Sequence, residues 1–250
     1  MDLGLTDRVA LVTGASKGIG RAIATELITE GAKVAISSRT APSIQQTARE
    51  IGAAHAATWD SADVDGAAGL VDEVEGAVGP VDVLVLNTGG PPLHEDALHF
   101  GRAEWQAAYE SLVLSQMALL ERVLPGMRER SFGRILNIVS ITVVEPLPSV
   151  MLSVTHRSSM IAAFKTLGRQ VAGDGVTLNS ILPGRIATAA LIDNYPSLDA
   201  ARAAAEAEVP VGRLGDPAEL AALATFLCSN RAGYITGARI AVDGGVLRSI

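Results

Sequence analysis

The feature that most constrains this chain lies near its start. A four-residue apolar run, Val9-Ala10-Leu11-Val12, leads directly into Thr13-Gly14-Ala15-Ser16-Lys17-Gly18-Ile19-Gly20. From Gly18 to Thr29 apolar residues recur at helical spacing, at Ile19, Ala22, Ile23 and Leu27. The pattern is a buried strand, a glycine turn and a helix. Glycine lets the backbone turn sharply and approach a ligand, and the free amides and dipole of a helix N-terminus stabilise a phosphate. The G-x-x-x-G-x-G spacing also fits an ordinary tight turn. Its place after the first strand of a βαβ unit instead predicts a nucleotide site at Gly14, Ser16, Lys17, Gly18, Ile19 and Gly20.

The alternation continues along the chain. A strand at Lys33 to Ser37 follows Gly31, then a helix near Pro42 to Ile51, a strand near His55 to Trp59 and a helix near Val64 to Val78. Val81 to Leu86 is almost continuously apolar, as suits a strand covered on both faces. Further helices are expected at about Arg102 to Arg130, Val150 to Ala172 and Pro217 to Ser229, with strands at Gly133 to Val139, Thr177 to Ile181 and Arg239 to Val242. This order predicts one α/β domain over residues 1–250, a doubly wound parallel sheet flanked by helices and joined by right-handed crossovers. At 250 residues, 48% of them hydrophobic, the chain is long enough to bury the core this requires. The longest irregular stretches, Thr88 to Gly101 and Pro183 to Pro210, both follow strands, where open α/β sheets bind ligands. A substrate lid is expected near 188–210.

Composition narrows the partners. With 20 Lys plus Arg against 27 Asp plus Glu, the net charge of −7 leaves no basic surplus for nucleic acid. A single cysteine, Cys228, rules out a disulfide framework or a cysteine-rich zinc site and suggests a reducing, cytoplasmic setting. Its neighbours Leu223, Phe226 and Leu227 make it a small core residue. Residues Met1 to Arg8 contain two Asp and no apolar segment behind a positive cluster. No later stretch reaches about 18 uncharged apolar residues, so neither an export signal nor a membrane span is expected. The segment His94-Glu95-Asp96-Ala97-Leu98-His99 lacks a supporting ligand set, and no metal is assigned.

The second strand ends in Ser37-Ser38-Arg39. A fold of this kind selecting NAD places Asp or Glu there to accept hydrogen bonds from the ribose 2′-hydroxyl, whereas an arginine accommodates a 2′-phosphate. Arg39 and Lys17 therefore point to NADP(H), although both also fit simple solvated surface charges.

Several further motifs carry a resemblance over nearly the whole chain. They are Asp60 after the third strand, Asn87-Thr88-Gly89-Gly90, Asn137-Ile138-Val139-Ser140, Asn179, Pro183-Gly184 with Thr188, Tyr234-Ile235-Thr236-Gly237 and Asp243-Gly244-Gly245. The chain resembles the short-chain dehydrogenase/reductase family, in particular its 3-oxoacyl-ACP reductase branch. The resemblance implies a Rossmann-type fold and carbonyl/alcohol interconversion on a small or acyl-type substrate. It further implies that Asp60 meets the adenine, that Asn87 and Gly89 line the cofactor cleft, and that Pro183, Gly184 and Thr188 contact the nicotinamide end. A homotetramer is implied as well, with the helices around Arg102 to Arg130 and Val150 to Ala172 pairing across one axis and the C-terminal strand across another. Met151, Leu152, Met160, Ile161 and Phe164 supply the apolar surface expected of the second helix.

At the chemical centre the chain departs from the family, whose reaction uses Ser, Tyr and Lys with an Asn from a preceding helix. Ser140 fits the Ser position, but the customary spacing then places Ser153 where Tyr belongs and Arg157 where Lys belongs. Leu112 falls at the Asn position. The three tyrosines, Tyr109, Tyr195 and Tyr234, are followed four residues later by Val113, Asp199 and Ala238, so no Tyr-x-x-x-Lys exists. A serine hydroxyl is a poor acid, and a guanidinium keeps its charge without relaying a proton. His156 has a suitable ordinary pKa, but it is rotated about 100° from Arg157 on a helix. Two functions therefore stand at this level. One is an NADP(H)-dependent oxidoreductase with an atypical proton source, its catalytic candidates being Ser140, Ser153 and Arg157. The other is a non-catalytic dinucleotide-binding protein or partner subunit that keeps the cleft.

Overall fold

The computed structural model describes residues 1–249. Its seven strands are β1 (Val9–Val12), β2 (Lys33–Ser38), β3 (His55–Thr58), β4 (Val83–Leu86), β5 (Gly133–Ile138), β6 (Val176–Pro183) and β7 (Arg239–Val242). They form one sheet in the order β3-β2-β1-β4-β5-β6-β7. Every pairing is parallel. The chain winds outward from β1 to β3 and then returns to lay β4 against the other side of β1. That reversal opens a crevice at the carboxyl ends of the strands, which is where such folds bind ligands.

Helices cover both faces, and this is why β1 and β4 read as unbroken apolar runs and are buried throughout. On one face lie α1 (Gly18–Thr29), α2 (Ala41–Ile51) and, near the C-terminus, Pro217–Leu227. Their Ile23, Leu27, Ile44, Leu220 and Ala224 pack against Val12, Val85 and Leu136. On the other lie α3 (Ala67–Ala77), α4 (Arg102–Tyr109), α5 (Ser115–Glu129) and α6 (Met151–Val171). Leu70, Val74, Leu119, Val123, Met160 and Phe164 fill that side against Leu84 and Ile135.

Two expectations are corrected. The helix read as continuous from Arg102 to Arg130 is interrupted by a π-helical turn, Glu110–Leu114, between α4 and α5. Ser111 Oγ donates to Ala108 O at 3.4 Å and Ser115 Oγ to Ser111 O at 2.8 Å. Such hydroxyls compete with the backbone for carbonyls and bend helices. Leu112 enters the core here, 1% exposed. The stretch Pro183 to Pro210, read as irregular, contains α7 (Ala189–Ile192) and α8 (Leu198–Glu208). Thr188 and Ser197 cap them, accepting from Leu191 N at 3.3 Å and Ala200 N at 3.1 Å. The signal was present in Ser197, Asp199 and the alanine-rich run that follows. The Pro217–Leu227 helix becomes α9; Cys228 at its end is fully buried, and burial pushes its thiol up to about 12. No helix among the described residues is long and apolar enough to cross a membrane.

Candidate active site

A cavity of about 570 Å³ occupies the crevice at the ends of β1, β2, β4, β5 and β6. Thirteen of the residues expected from sequence line it: Gly14, Ser16, Lys17, Gly18, Ile19, Arg39, Asn87, Gly89, Ser140, Arg157, Pro183, Gly184 and Thr188. Gly20, Asp60 and Ser153 are not among the lining residues. Asp60 stands between the lining residues Trp59 and Ser61, and its carboxylate accepts from Ala62 N at 3.0 Å. Sequence reasoning missed Ser43, Trp59 and Ser61; their one legible signal was position just beyond strand ends or in a following helix.

The glycine turn is fixed by close approaches. Gly14 has φ +58°, and a Cβ there would lie 2.3 Å from Asn87 O. A Cβ on Gly20 would lie 2.6 Å from Gly14 O. Only glycine fits either position. Thr13 and Asn87 clasp β1 to β4: Thr13 Oγ1 donates to Asn87 O at 3.0 Å, Asn87 N donates to Thr13 Oγ1 at 3.0 Å, and Asn87 Nδ2 donates to Gly14 O at 3.0 Å. Thr47 of α2 ties the loop from outside, donating to Ser16 O at 3.0 Å.

Charge distinguishes this cavity from the rest of the molecule. Lys17, Arg39 and Arg157 line it and no Asp or Glu does, in a chain of net charge −7. Ser38 Oγ and Thr88 Oγ1, on lining residues, have no hydrogen-bond partner among the described residues. A glycine cradle opening onto the start of α1, with cations and without carboxylates, fits the phosphates of a dinucleotide.

At the other end Ser140 Oγ accepts from Thr142 N at 3.2 Å and hydrogen-bonds Thr142 Oγ1 at 2.9 Å, which fixes its position over β5. Arg157 Nε donates to Ser153 Oγ at 3.1 Å, as their i,i+4 spacing on α6 allows. Its Nη1 donates to Ile138 O at 2.8 Å, and its Nη2 lies 3.3 Å from Thr88 O and 3.5 Å from Gly89 O. Burial pushes the guanidinium down to about 10. His156 faces away from the cavity: its Nδ1 is 2.7 Å from Leu152 O, and its ring packs 5.5 Å from Trp105 and 6.0 Å from Tyr109, centroid to centroid. His94 and His99 stack with centroids 3.5 Å apart. Among the described residues no group of three or more His, Cys, Asp or Glu is placed to hold a metal.

Comparison with known proteins agrees with this geometry. The family model described as enoyl-(acyl carrier protein) reductase matches residues 14–247. The 3-oxoacyl-[acyl-carrier-protein] reductase FabG of Vibrio cholerae is 36% identical over 248 residues, covering 98% of this chain and 99% of that protein. Acetoacetyl-CoA reductase of Shinella zoogloeoides is 35% identical over 241 residues, covering 95% and 98%. The crystal structure of L-sorbose reductase from Gluconobacter frateurii, complexed with NADPH and L-sorbose, superposes with a TM-score of 0.93 at 31% identity, covering 100% of both chains. With a family model over nearly its full length and relatives of this similarity, the chain belongs to the short-chain dehydrogenase/reductase family.

Proposed function

We propose that the chain is an NADP(H)-dependent oxidoreductase that interconverts a carbonyl and an alcohol on a small or acyl-type substrate, with an atypical proton source. The observation that carries this reading is the acid-free cavity, which joins the glycine cradle at one end to Ser140 at the other. Gly14, Ser16, Gly18 and Ile19 hold the pyrophosphate, Lys17 and Arg39 the 2′-phosphate, and Pro183, Gly184 and Thr188 the nicotinamide end. Gly20 and Asn87 keep the cradle open, and Asp60 orders the turn beside the adenine. When bound, the dinucleotide supplies or accepts a hydride. Ser140, held by Thr142, hydrogen-bonds the substrate oxygen. Arg157 keeps a fixed positive charge at that end, and Ser153 anchors it. None of these three groups titrates near neutrality, so the proton comes from another source, as the sequence implied.

One observation favours a second reading. Ser153 accepts from Arg157 and lies off the cavity lining. A non-catalytic dinucleotide-binding protein or partner subunit is the function left if no proton source exists. NADPH binding by fluorescence, run beside NADPH oxidation against a carbonyl panel, separates the two. Turnover supports the oxidoreductase, tight binding without turnover the second reading, and absence of binding overturns both.

We place the chain in the cytoplasm as a homotetramer. The support for assembly differs from the expectation, because Leu152, Met160 and Phe164 are buried within the protomer and leave Met151 and Ile161 as the partly open apolar residues of that set on α6. The exposed Tyr234 near β7 and the 45% exposed Tyr109 on α4 are the better candidates for contact. A monomer by light scattering at micromolar concentration would contradict this.

A further inference from the structure

Reduction of a carbonyl needs a proton as well as a hydride, and among the described residues that line the cavity there is no Tyr, His, Cys, Asp or Glu. The titratable side chains there are the cations Lys17, Arg39 and Arg157. Arg157 spends its donors on Ser153 Oγ and on backbone carbonyls. Tyr195, on the lid segment, accepts from Arg185, which lines a separate cavity of about 160 Å³ and not this one.

Ser140 lines the cavity and has a second hydroxyl behind it. It caps a short 3-10 turn, Ile141–Val143, in which Thr142 N donates to Ser140 Oγ at 3.2 Å and Thr142 Oγ1 donates to it at 2.9 Å. Val143 N donates to Ser140 O at 3.3 Å and Val144 N to Ile141 O at 2.9 Å, so the backbone holds the two hydroxyls together. A hydroxyl oxygen that accepts twice has its own hydrogen left to donate elsewhere. Thr142 is half-buried, lies off the cavity lining, and begins a segment that is exposed at Pro146, Leu147 and Pro148. The two hydroxyls therefore lead away from the cavity into a turn that reaches the surface. Glu145, the carboxylate on that segment, is occupied by Arg248 N at 2.7 Å and Ser249 N at 3.1 Å.

We propose that Ser140 and Thr142 form a two-hydroxyl relay that brings the proton of the reduction from water, with Thr142 acting through Ser140 as its positioning residue, a step that rests on the oxidoreductase reading. Hydride from the dinucleotide, which is thereby oxidised, makes the new C–H bond, and the carbonyl π pair moves onto oxygen. The Ser140 O–H bond breaks as the substrate O–H bond forms, the Thr142 hydrogen passes to Ser140 Oγ, and a hydrogen of water passes to Thr142 Oγ1, leaving hydroxide to the solvent. Because the transfers are concerted, neither hydroxyl stands as a free alkoxide, and the weak acidity of serine and threonine is no bar. Hydrogen bonds in a chain polarise one another, so the Thr142 hydrogen also makes Ser140 a stronger donor to the carbonyl oxygen.

The test compares the full unmodified chain with Thr142→Val, which keeps the shape and loses the hydroxyl, and Thr142→Ser, which keeps the hydroxyl; Thr142→Ala serves if the valine variant does not fold by its melting curve. The substrate probes are ethyl acetoacetate and acetoacetyl-CoA, and the rate is that of a single turnover of bound NADPH. Thr142→Val should lower this rate on the order of 10²-fold with NADPH affinity unchanged, and Thr142→Ser should keep most of it. The unmodified rate should stay level from about pH 6 to pH 9, since water and not a titrating side chain is the donor. A second readout needs no turnover: in the unreactive complex with NADP⁺, the infrared carbonyl band of ethyl acetoacetate, isotopically labelled at the ketone, should lie lower in the unmodified chain than in Thr142→Val. An active chain whose rate and carbonyl band are unaltered by Thr142→Val overturns the relay alone, as does a rate that falls with pH like a single titrating acid or a serine variant as slow as the valine one. A shifted band with NADPH bound and no turnover of either probe overturns the oxidoreductase reading, and the relay with it.

Discussion

Arg157 donates its Nε–H to the Ser153 hydroxyl at 3.1 Å, one helical turn away on α6, while the rest of its guanidinium reaches across to the ends of β4 and β5. The pair works as a brace: Ser153 is an acceptor, and Arg157 ties a helix to two strand ends. This is a different arrangement from a titratable acid beside a cation that tunes it. It also leaves a positive charge buried against the backbone of Ile138, Thr88 and Gly89.

Cofactor preference follows from the charges at the outer end. The unmodified chain should bind NADPH more tightly than NADH by on the order of tenfold, since exposed charge-assisted bonds from Arg39 and Lys17 are weakened by solvent and salt. Arg39→Asp should reverse the order, because a carboxylate repels phosphate and accepts from the 2′-hydroxyl. Parallel fluorescence titrations at low and high KCl measure this; equal affinities in the unmodified chain would sink the assignment.

Restoring the proton donor should raise turnover. Ser153→Tyr with Arg157→Lys should increase reduction of carbonyl substrates by about 10²- to 10⁴-fold, the range of general acid catalysis. Each change alone should do less, since the phenol needs a cation to lower its pKa and the amine alone has no acid to tune. Leu112, buried at the position that the resemblance gives to Asn, should limit the gain. Steady-state kinetics of the four proteins form the double-mutant cycle, and additive effects would count against this account.

Gly14→Ala tests the cradle. The added methyl would sit 2.3 Å from Asn87 O at a φ of +58°, so β1 and β4 must part locally. A loss of roughly 2 kcal/mol or more in stability, with NADPH affinity falling further than the melting temperature alone explains, is expected. Gly52→Ala, at φ +74° with nothing within 4 Å and far from the cleft, should strain the backbone without weakening NADPH. Equal NADPH affinity in the two variants would refute the cradle's role.

Cys228 gives a pH prediction with a definite sign. Its thiol is held neutral in the folded chain up to about 12, whereas the unfolded chain ionises near 9.0. Between those values the unfolded state has lost the proton and the folded state has kept it, so this group's contribution to stability falls as pH rises from about 9 toward 12. Cys228→Ala should flatten that part of the urea-stability profile. A thiol reagent at pH 8 should react with Cys228 only after unfolding, and rapid labelling of the native chain would contradict the burial.

The amino-acid sequence determined the sheet, its two covered faces and the nucleotide cradle. Those features are written in short-range patterns: unbroken apolar strands, helical periodicity, and the G-x-x-x-G-x-G spacing between the first strand and first helix. It also showed that Tyr-x-x-x-Lys is absent, because spacing is a property of the chain itself. Tertiary structure decided what replaced that motif. Neither the carbonyls of Ile138, Thr88 and Gly89 around Arg157 nor the lack of a paired carboxylate among the described residues is readable from neighbours in sequence, because those partners lie 19, 69 and 68 residues away. The π-turn that buries Leu112 and the turning of His156 toward Trp105 and Tyr109 were likewise settled by packing between helices, where burial and hydrogen-bond competition outweigh local propensity.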